Sequence, residues 1–510
     1  MVRGASFRFP SRPGGAFIGV LIAMPVSDYT VTIGLEVHCQ LNTESKMFCA
    51  CPARYGESPN ALTCPVCLGL PGALPVLNLG AIERTVLAGM MLNCQTPPVV
   101  KWDRKNYFYP DMPKNYQLTQ FDLPLCVGGR VPLYDLAYPK DWQKKIAAPG
   151  KVVGLTRIHL EEDVAKSMHT AGGTAIDFNR AGTPLMEIVS EPEIDSAEEA
   201  VAYLNSLRQI LQYSGVSDAD MEKGQMRCDV NISLRPHGQK ALGAKIELKN
   251  LNSVSAVRRA IHFEIDRQAD ELDRGIKQIQ STRRWDDERG ETSVMRTKED
   301  AHDYRYFPCP DLLPLHTADI VERVGQSVPE TPHARRERFV NALGVSEYDA
   351  GVLCSEKALA DYFEEAAAGI SKPKAVANWI INDLLGQLSA REMTLAQNPV
   401  PASGVRALAA VVEEGKINGS QAKEVFAAMF ETGQSPADII KEKGLEQVSD
   451  TGFLDDIITQ VLAANADAVE KIKAGNDKAI NALKGQVMKL SAGKANPKVV
   501  GEMLEARLKG

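Results

Sequence analysis

Glu36 and His38 stand two residues apart in Gly34-Leu35-Glu36-Val37-His38, directly after the β-branched run Tyr29-Thr30-Val31-Thr32-Ile33. Residues i and i+2 of a strand share a face. A carboxylate and an imidazole would then project together, as a hard-cation site or an acid–base couple requires. The same pair also suits an ordinary solvent-facing strand. Four cysteines follow, Cys49-Ala50-Cys51 and Cys64-Pro65-Val66-Cys67, with twelve residues between the pairs. Four thiolates so spaced can surround one tetrahedral Zn²⁺ at about 2.3 Å per bond, and four protein ligands leave no open position for chemistry, so the zinc would be structural. Gly56, Pro59 and Asn60 between the pairs suit a turn-rich loop. Disulfides would need an oxidising compartment, and Cys39, Cys94, Cys126, Cys228, Cys309 and Cys354 show no pairing pattern.

Four polar blocks follow. Arg157-Ile158-His159-Leu160-Glu161-Glu162-Asp163 ends a strand-like run, and residues 177–187 hold Asp177, Asn179, Arg180 and Glu187. Alternation in residues 227–235 places Arg227, Asp229, Asn231 and Ser233 on one strand face, and the fourth block is Glu247-Leu248-Lys249-Asn250-Leu251-Asn252-Ser253. Each block alone reads as a salt-bridged strand edge. Together they supply what a Mg–nucleotide site requires: carboxylates for the cation, cations for phosphates, amides to orient both. No G-x-x-x-x-G-K-[ST] loop is present, which excludes a P-loop, and no G-x-G-x-x-G turn follows a strand. Residues 104–117 hold Tyr107-Phe108-Tyr109 between two cations and two prolines and read as a packed loop able to carry function. Asp303-Tyr304-Arg305-Tyr306-Phe307-Pro308 interleaves rings and a cation, for stacking on RNA ends or for core packing.

The elements that must position these residues divide the chain. Residues 29–315 read as mixed α and β, with strand-like runs at 151–160, 175–178, 226–234 and 245–249. Helices are predicted over 196–214, where Ser196 and Glu199 form a capping box, and over 252–275. Strands this irregularly spaced do not suggest a doubly wound sheet. From about residue 316 the texture turns to Ala, Glu, Lys and Leu with caps and Gly stops, an all-helical region, and residues 432–436 interrupt it as a hinge. Residues 1–28 stand apart, basic and irregular at the start, with no acid before Asp28; a signal peptide or organellar presequence fits the pattern, but an upstream start with Met24 as the true beginning is the preferred reading, and the segment is set aside from the fold. At 510 residues the chain predicts two to four domains. A net charge of −7 gives no global nucleic-acid footprint. The last 40 residues hold nine Lys/Arg (Lys471, Lys473, Lys478, Lys484, Lys489, Lys494, Lys498, Arg507, Lys509) against three acids, a local +6 that suits phosphate contact as well as a solvated helix face. No apolar run reaches the roughly 18 residues that span a bilayer.

These motifs together, from Gly34-Leu35-Glu36-Val37-His38 through the cysteine loop and the polar blocks to Val376-Ala377-Asn378-Trp379-Ile380, Gly415-Lys416-Ile417, Gly485-Gln486-Val487-Met488-Lys489 and Ala495-Asn496-Pro497, closely resemble the B-subunit family of the bacterial and organellar glutamyl-tRNA(Gln)/aspartyl-tRNA(Asn) amidotransferases, from residue 29 to the C-terminus. The resemblance implies an α+β protein: an antiparallel-sheet cradle with the active site and zinc loop at 29–316, a helical domain at 317–435 and a helical tRNA-binding tail at 436–510. It implies an ATP-dependent enzyme, cytoplasmic and without membrane contact, that phosphorylates the side-chain carboxylate of Glu or Asp mischarged on tRNA. Ammonia from a separate amidase (glutaminase) chain, the A subunit, then displaces the phosphate, within a heterotrimer completed by a small C subunit. Glu36, His38, Glu161 and Glu187 are the implied catalytic residues, with Mg²⁺ on His38, Glu161 and Glu187 and structural Zn²⁺ on Cys49, Cys51, Cys64 and Cys67. Lys166, Arg180, Arg227, Asp229, Asn231, Lys249 and Asn250 are the expected ATP contacts, and the loop from Arg104 would line or gate the ammonia route. Val164-Ala165-Lys166 stands where the family has Ala-Gly-Lys, which puts the turn before Lys166 in question. A non-catalytic, zinc-stabilised tRNA-binding scaffold is the alternative class, and a stand-alone ligase a third.

Overall fold

The computed structural model describes residues 29–297, 301–445, 451–473, 479–491, 495 and 497–509. The expectations for residues 1–28, and for Lys478 and Lys494, lie outside the described residues.

A nine-stranded sheet organises the first region. In chain order its strands are β1 (Tyr29–Gln40), β2 (Cys126–Val127), β3 (Arg130–Pro132), β4 (Val152–Glu162), β5 (Pro184–Ser190), β6 (Met226–Pro236), β7 (Ile246–Leu251), β8 (Ser281–Asp286) and β9 (Glu291–Thr297). Across the sheet the order is β9-β8-β7-β6-β1-β5-β4-β2, and β3 pairs with β4. The predicted runs at 151–160, 226–234 and 245–249 are β4, β6 and β7. The run at 175–178 falls in a separate hairpin, Lys166–Thr170 with Gly173–Asp177. Sequence reasoning missed β5 as a strand; it opens on Pro184, and the first position of a strand is where proline is tolerated.

Alternation along β1 is nearly complete: Ile33, Leu35, Val37 and Cys39 are buried on one face, while Glu36, His38 and Gln40 are half-buried on the other. Neighbouring strands repeat it with Ile188 and Met186, Ile158 and Leu160, and Val230 and Ile232. The apolar face joins the first core with three helices, α1 (Leu79–Met91), α2 (Ala197–Tyr213) and α3 (Val254–Asp273). Ser196 Oγ caps α2 by accepting from Glu199 N, as expected, but the Glu199 carboxylate accepts from Asp195 N, one residue before the cap. Ser253 caps α3 in the same way.

The sheet is not wholly antiparallel. β7 and β8 run parallel, and α3 is the crossover between them, because parallel neighbours cannot be joined by a tight turn. Glu264 on α3 is fully buried at this junction. Its carboxylate meets Arg267 on its own helix, Arg283 on β8 at 3.0 Å and the Thr292 hydroxyl on β9.

The all-helical reading after residue 316 holds, with shifted boundaries. Helix α4 (Ala318–Gly325) puts Ile320 and Val324 into the first core. A second core runs from Phe339 to Ile440, with Trp379 stacked on Phe426 at 5.7 Å. Helix Pro436–Lys443 buries Ile439 and Ile440 there, so the boundary expected at 435 cuts through a packed unit, and residues 433–435 are an ordinary turn: Gly433 in the left-handed region (φ +68°), then the Ser435 cap. A third core, from Leu454 to Leu508, closes within the tail. The second unit touches the cradle through α2, where Gln209 Nε2 and Tyr213 Oη donate to the Cys354 carbonyl at 2.6 and 2.8 Å. No helix among the described residues is long and apolar enough to cross a membrane.

Candidate active site

The register of four strands lays one polar row across the open face of the sheet. Arg227 on β6 is opposite His38 on β1, His38 is opposite Glu187 on β5, and Glu187 is opposite His159 on β4. In the neighbouring row Asp229, Glu36 and Arg157 occupy the corresponding positions. Glu161 lies two residues beyond His159 and so shares its face.

Glu187 Oε2 is the meeting point. His38 Nε2 lies 3.2 Å from it and His159 Nε2 3.1 Å, while Glu161 Oε2 is 3.7 Å from His159 Nε2 and accepts from Thr119 Oγ1 at 3.0 Å. Burial would lower both imidazole pKa values; the Glu187 hydrogen bond to His38, and the Glu187 charge beside His159, outweigh it. Both are pushed up, His159 to about 9. Glu187, which burial would raise, is held well below the usual carboxylate range, chiefly by the His159 charge. One nitrogen and two carboxylate oxygens, from His38, Glu161 and Glu187, come within 4.8 Å of one another. That donor set fits a hard divalent cation which keeps its other positions for water and phosphate oxygens. His159 adds an Nδ1 that is buried with no hydrogen-bond partner.

The cluster is part of the lining of a cavity of ≈ 390 Å³. On the β7 side its wall holds Lys245 and Lys249 among Glu36, Asp229 and Glu247. Lys249 Nζ bridges Asp229 Oδ2 at 2.6 Å and Glu247 Oε1 at 3.0 Å, and Asn231 Nδ2 donates to Glu36 Oε1 at 2.8 Å. On the β4 side stand Arg157 and Lys105, with Phe121, Tyr304 and Tyr306. Burial opposes the Lys105 charge, but the neighbouring Tyr306, Glu161 and Glu187 outweigh it and raise its pKa.

The four cysteine sulfurs also converge within 4.8 Å, and all are free thiols. Lys46 is fully buried beside them, its Nζ 3.7 Å from Cys67 Sγ and 2.8 Å from the Leu62 carbonyl. A buried ammonium against four thiols suits the double negative charge of a four-thiolate zinc centre, so the residues fit that metal. The loop is laced to the stretch before β5: Asn179 Oδ1 accepts from Leu62 N at 2.8 Å, Asn179 Nδ2 donates to the Ser58 carbonyl at 2.7 Å, and Met47 N donates to the Gly182 carbonyl at 2.7 Å.

Residues 31–322 match the family described as the GatB/GatE catalytic domain, and residues 361–508 the family described as the GatB domain. A relative from Methylacidiphilum infernorum, named as the B subunit of aspartyl/glutamyl-tRNA(Asn/Gln) amidotransferase, is 52% identical over 94% of this chain and 99% of that protein. The proteins of the same name from Persephonella marina and Moorella thermoacetica are 48% and 47% identical, over 94% of this chain and 100% of each. The chain belongs to the GatB family. GatB proteins are B subunits of a multi-subunit, glutamine-dependent, ATP-hydrolysing ligase that amidates mischarged Glu-tRNA(Gln) or Asp-tRNA(Asn).

Within this GatB chain the fold gathers some of the expected ATP contacts and disperses others. Asp229 and Lys249 line the cavity, and Asn231 orients Glu36. Arg227 is committed to Asp163, which also accepts from Gln40 Nε2, each at 2.8 Å. Arg180 donates to the Val164 and Ala165 carbonyls and, with Lys166, lines a separate groove. Asn250 turns its amide to the Trp285 carbonyl at 2.9 Å and holds a left-handed backbone (φ +68°), so its part is structural. The cavity wall also includes Arg157, His159 and Glu247, which stood in the polar blocks without roles of their own, and Lys105 and Lys245, which the sequence reading did not place at the site. Period two along β4 would have found Arg157 and His159 beside Glu161, as it found Asp229 on β6. Ala165 is buried and is not among the positive-φ residues, so the turn before Lys166 needs no glycine.

Proposed function

We propose that the cavity binds ATP and the side-chain carboxylate of Glu or Asp esterified to tRNA, and forms the acyl phosphate that ammonia converts to the amide. The observation that carries this reading is the His38–Glu161–Glu187 cluster lying between Lys245 and Lys249, set among carboxylates on one wall, and Lys105 with Arg157 on the other. A carboxylate resists attack by ammonia. An oxygen of the substrate carboxylate attacks the γ-phosphorus, the bond to the β-phosphate oxygen breaks, and ADP leaves. The nitrogen lone pair of ammonia then attacks the acyl carbon, phosphate departs, and nitrogen gives up a proton.

Mg²⁺, when bound by His38, Glu161 and Glu187, would offset the charge on the transferring phosphoryl oxygens. Around it, His159 orients Glu187, Thr119 orients Glu161, and Asn231 orients Glu36. Lys105 and Arg157 attract the substrate carboxylate, while Lys249, held between Asp229 and Glu247, keeps a cation at the nucleotide side. Zn²⁺ on Cys49, Cys51, Cys64 and Cys67 fixes the loop that braces the approach to β5, and so the placement of Glu187. The amidase partner, the A subunit, supplies ammonia and a small C subunit completes the complex; the hollow between the zinc loop and Lys114, Tyr116 and Glu162 suits the ammonia side. The basic tail contacts tRNA.

The test uses the assembled complex with Mg²⁺, mischarged tRNA and ATP. His38→Ala, Glu161→Gln and Glu187→Gln should each lower tRNA-dependent ATP cleavage by about a hundredfold or more. Glutaminase activity of the partner should persist at its basal level. Free ammonium should not rescue these variants, because the missing step precedes ammonia attack. Restoration of amide formation in Glu187→Gln by ammonium would assign the cluster to ammonia delivery and overturn the reading.

A further inference from the structure

The loop between strands Asp103–Asn106 and Tyr116–Thr119 stands between two hollows. One lies under the zinc loop. The other is an open groove of ≈ 410 Å³ walled by Lys105, Tyr107, Phe108, Tyr109, Tyr304 and Arg305. Lys105 and Tyr304 also line the metal cavity, so groove and cavity adjoin at those two side chains.

Aromatic rings run the length of this path. At the outer end Phe108 and Tyr109 are 70% and 58% exposed. In the middle Tyr304 and Tyr306 meet edge to face at 6.1 Å. At the cavity end Tyr306 stacks on Phe121 at 4.3 Å, and Phe121 is still 43% exposed. Cations are set between the rings. The Arg305 guanidinium lies 5.6 Å from the Phe108 centroid, and Lys105 Nζ 4.9 Å from that of Tyr304. Arg157 Nη1 donates to the Phe121 carbonyl at 3.2 Å. Asn106 Nδ2 donates to the Arg305 carbonyl at 2.8 Å and holds that residue in the left-handed region, φ +45°. One acid, Asp303, shares the groove.

We propose that this groove carries the single-stranded 3′ end of the tRNA, with Phe108 and Tyr109 stacking on bases outside the cavity and the Phe121–Tyr306 pair receiving the terminal adenosine at its mouth. The inference rests on the reading that the cavity phosphorylates a tRNA-borne carboxylate, and it deepens that reading. The carboxylate is tethered to the terminal ribose by a few bonds, so the last base must lie on the order of 10 Å from the cluster. Unpaired bases are bound by π faces with cations between them for the phosphates, which is the alternation seen here. The groove enters on the Lys105–Arg157 side, and the Lys245–Lys249 side remains for the nucleotide. The ring-bearing end of the loop faces the groove, while Lys114 and Tyr116 face the hollow under the zinc loop, so one loop keeps the RNA path and the ammonia side apart.

The test compares intact tRNA with the same tRNA lacking its last three nucleotides, in filter binding to the assembled complex. The wild-type complex should bind the intact form more tightly, by about tenfold per stacked base. A Phe108→Ala/Tyr109→Ala double variant, and separately Phe121→Ala, should lose that preference by weakening the intact form alone. These rings are exposed, so the fold should survive their removal. An unchanged preference overturns the proposal, including the case in which the variant sheds its amidase partner on gel filtration, which would make the groove an interface between chains of the complex. Equal weakening of both tRNA forms overturns it as well. Wild-type ATP cleavage dependent on mischarged tRNA is measured alongside: its absence would sink the phosphorylation reading, whereas the binding ratio judges the groove alone.

Discussion

At the scale of single residues, Glu187 Oε2 is shared by two imidazoles, and only one of them, His38, belongs to the three-ligand cluster. His159 holds the carboxylate from the other side through Nε2. Such an outer partner tunes a metal ligand without binding the ion, at a typical cost of about 10–100-fold in metal affinity when lost. His159→Phe should therefore raise the Mg²⁺ concentration for half-maximal ATP cleavage by about that factor, and weaken Mn²⁺ binding measured by electron paramagnetic resonance in the absence of ATP. His159→Gln, whose Nε2 can still donate, should recover most of the loss. Equal behaviour of the two variants would leave His159 a packing residue only. A second expectation concerns Cys64→Ser, which should lower bound zinc and the unfolding temperature while folded molecules keep their ATP affinity; one zinc per chain retained in that variant would remove the assignment. The cysteines and the Glu36–His38 pair were legible because their geometry is local: two thiols a residue or two apart, or period two on a strand. Lys105 left no such trace, because a hairpin remote in sequence carries it to the cavity. Asn250 misled because an amide in a polar block looks like a ligand until its backbone requires a left-handed turn.

Among the secondary-structure elements, the parallel β7–β8 pair and its crossover helix set the edge of the cradle. Glu264 ties α3 to β8 and β9 through Arg267, Arg283 and Thr292. Burial alone would raise its pKa, but the Arg267 and Thr292 hydrogen bonds and the Arg267 charge outweigh it, and the folded value lies below the unfolded one near 4.5. A depressed acid stabilises the fold in full above its unfolded pKa and loses that contribution as the pH falls through the folded value. Glu264→Leu should cost about 3 kcal/mol at neutral pH, because it removes the carboxylate from the buried Arg283 guanidinium, while Arg267 keeps its pair with Glu271 at 2.7 Å. The difference from wild type, read by denaturant unfolding, should shrink as the pH is lowered below the carboxylate range; a constant difference would mean that packing, not charge, is lost. Helices α2 and α3 were readable from caps and spacing. The crossover itself was not: a strand–helix–strand order can belong to either pairing sense until the neighbours of each strand are known.

For the whole molecule, three cores follow one another along the chain, and the third closes within the tail. Among its basic residues Arg507 is engaged with Asp455 and Thr459, whereas Lys489 is exposed. Removal of residues 446–510 spares helix Pro436–Lys443 and hence the second core. That truncated chain, within its complex, should keep ATP binding, bind tRNA more weakly and show a shallower dependence of affinity on salt. An unchanged affinity across a salt titration would take the tail out of the RNA interface. Calorimetry should also lose one transition while the others stay in place. The helical character of this half was plain from composition; the division at 435 was misjudged because a Gly–Ser–Pro turn punctuates equally well between domains and between two helices of one core.

The central strand also sets terms for biosynthesis. β1 is made first, yet both of its sheet neighbours, β5 and β6, are translated roughly 150–200 residues later, which at ribosomal speed is on the order of ten seconds or more. Through that interval Ile33, Leu35, Val37 and Cys39 form an apolar stripe on a segment with two open edges, and an unpaired edge is a template for unwanted pairing. The strand that aligns Glu36 and His38 for chemistry is thus the part of the newborn chain most in need of a holdase, and rapid heterologous expression should bring it out of solution sooner than slow expression does.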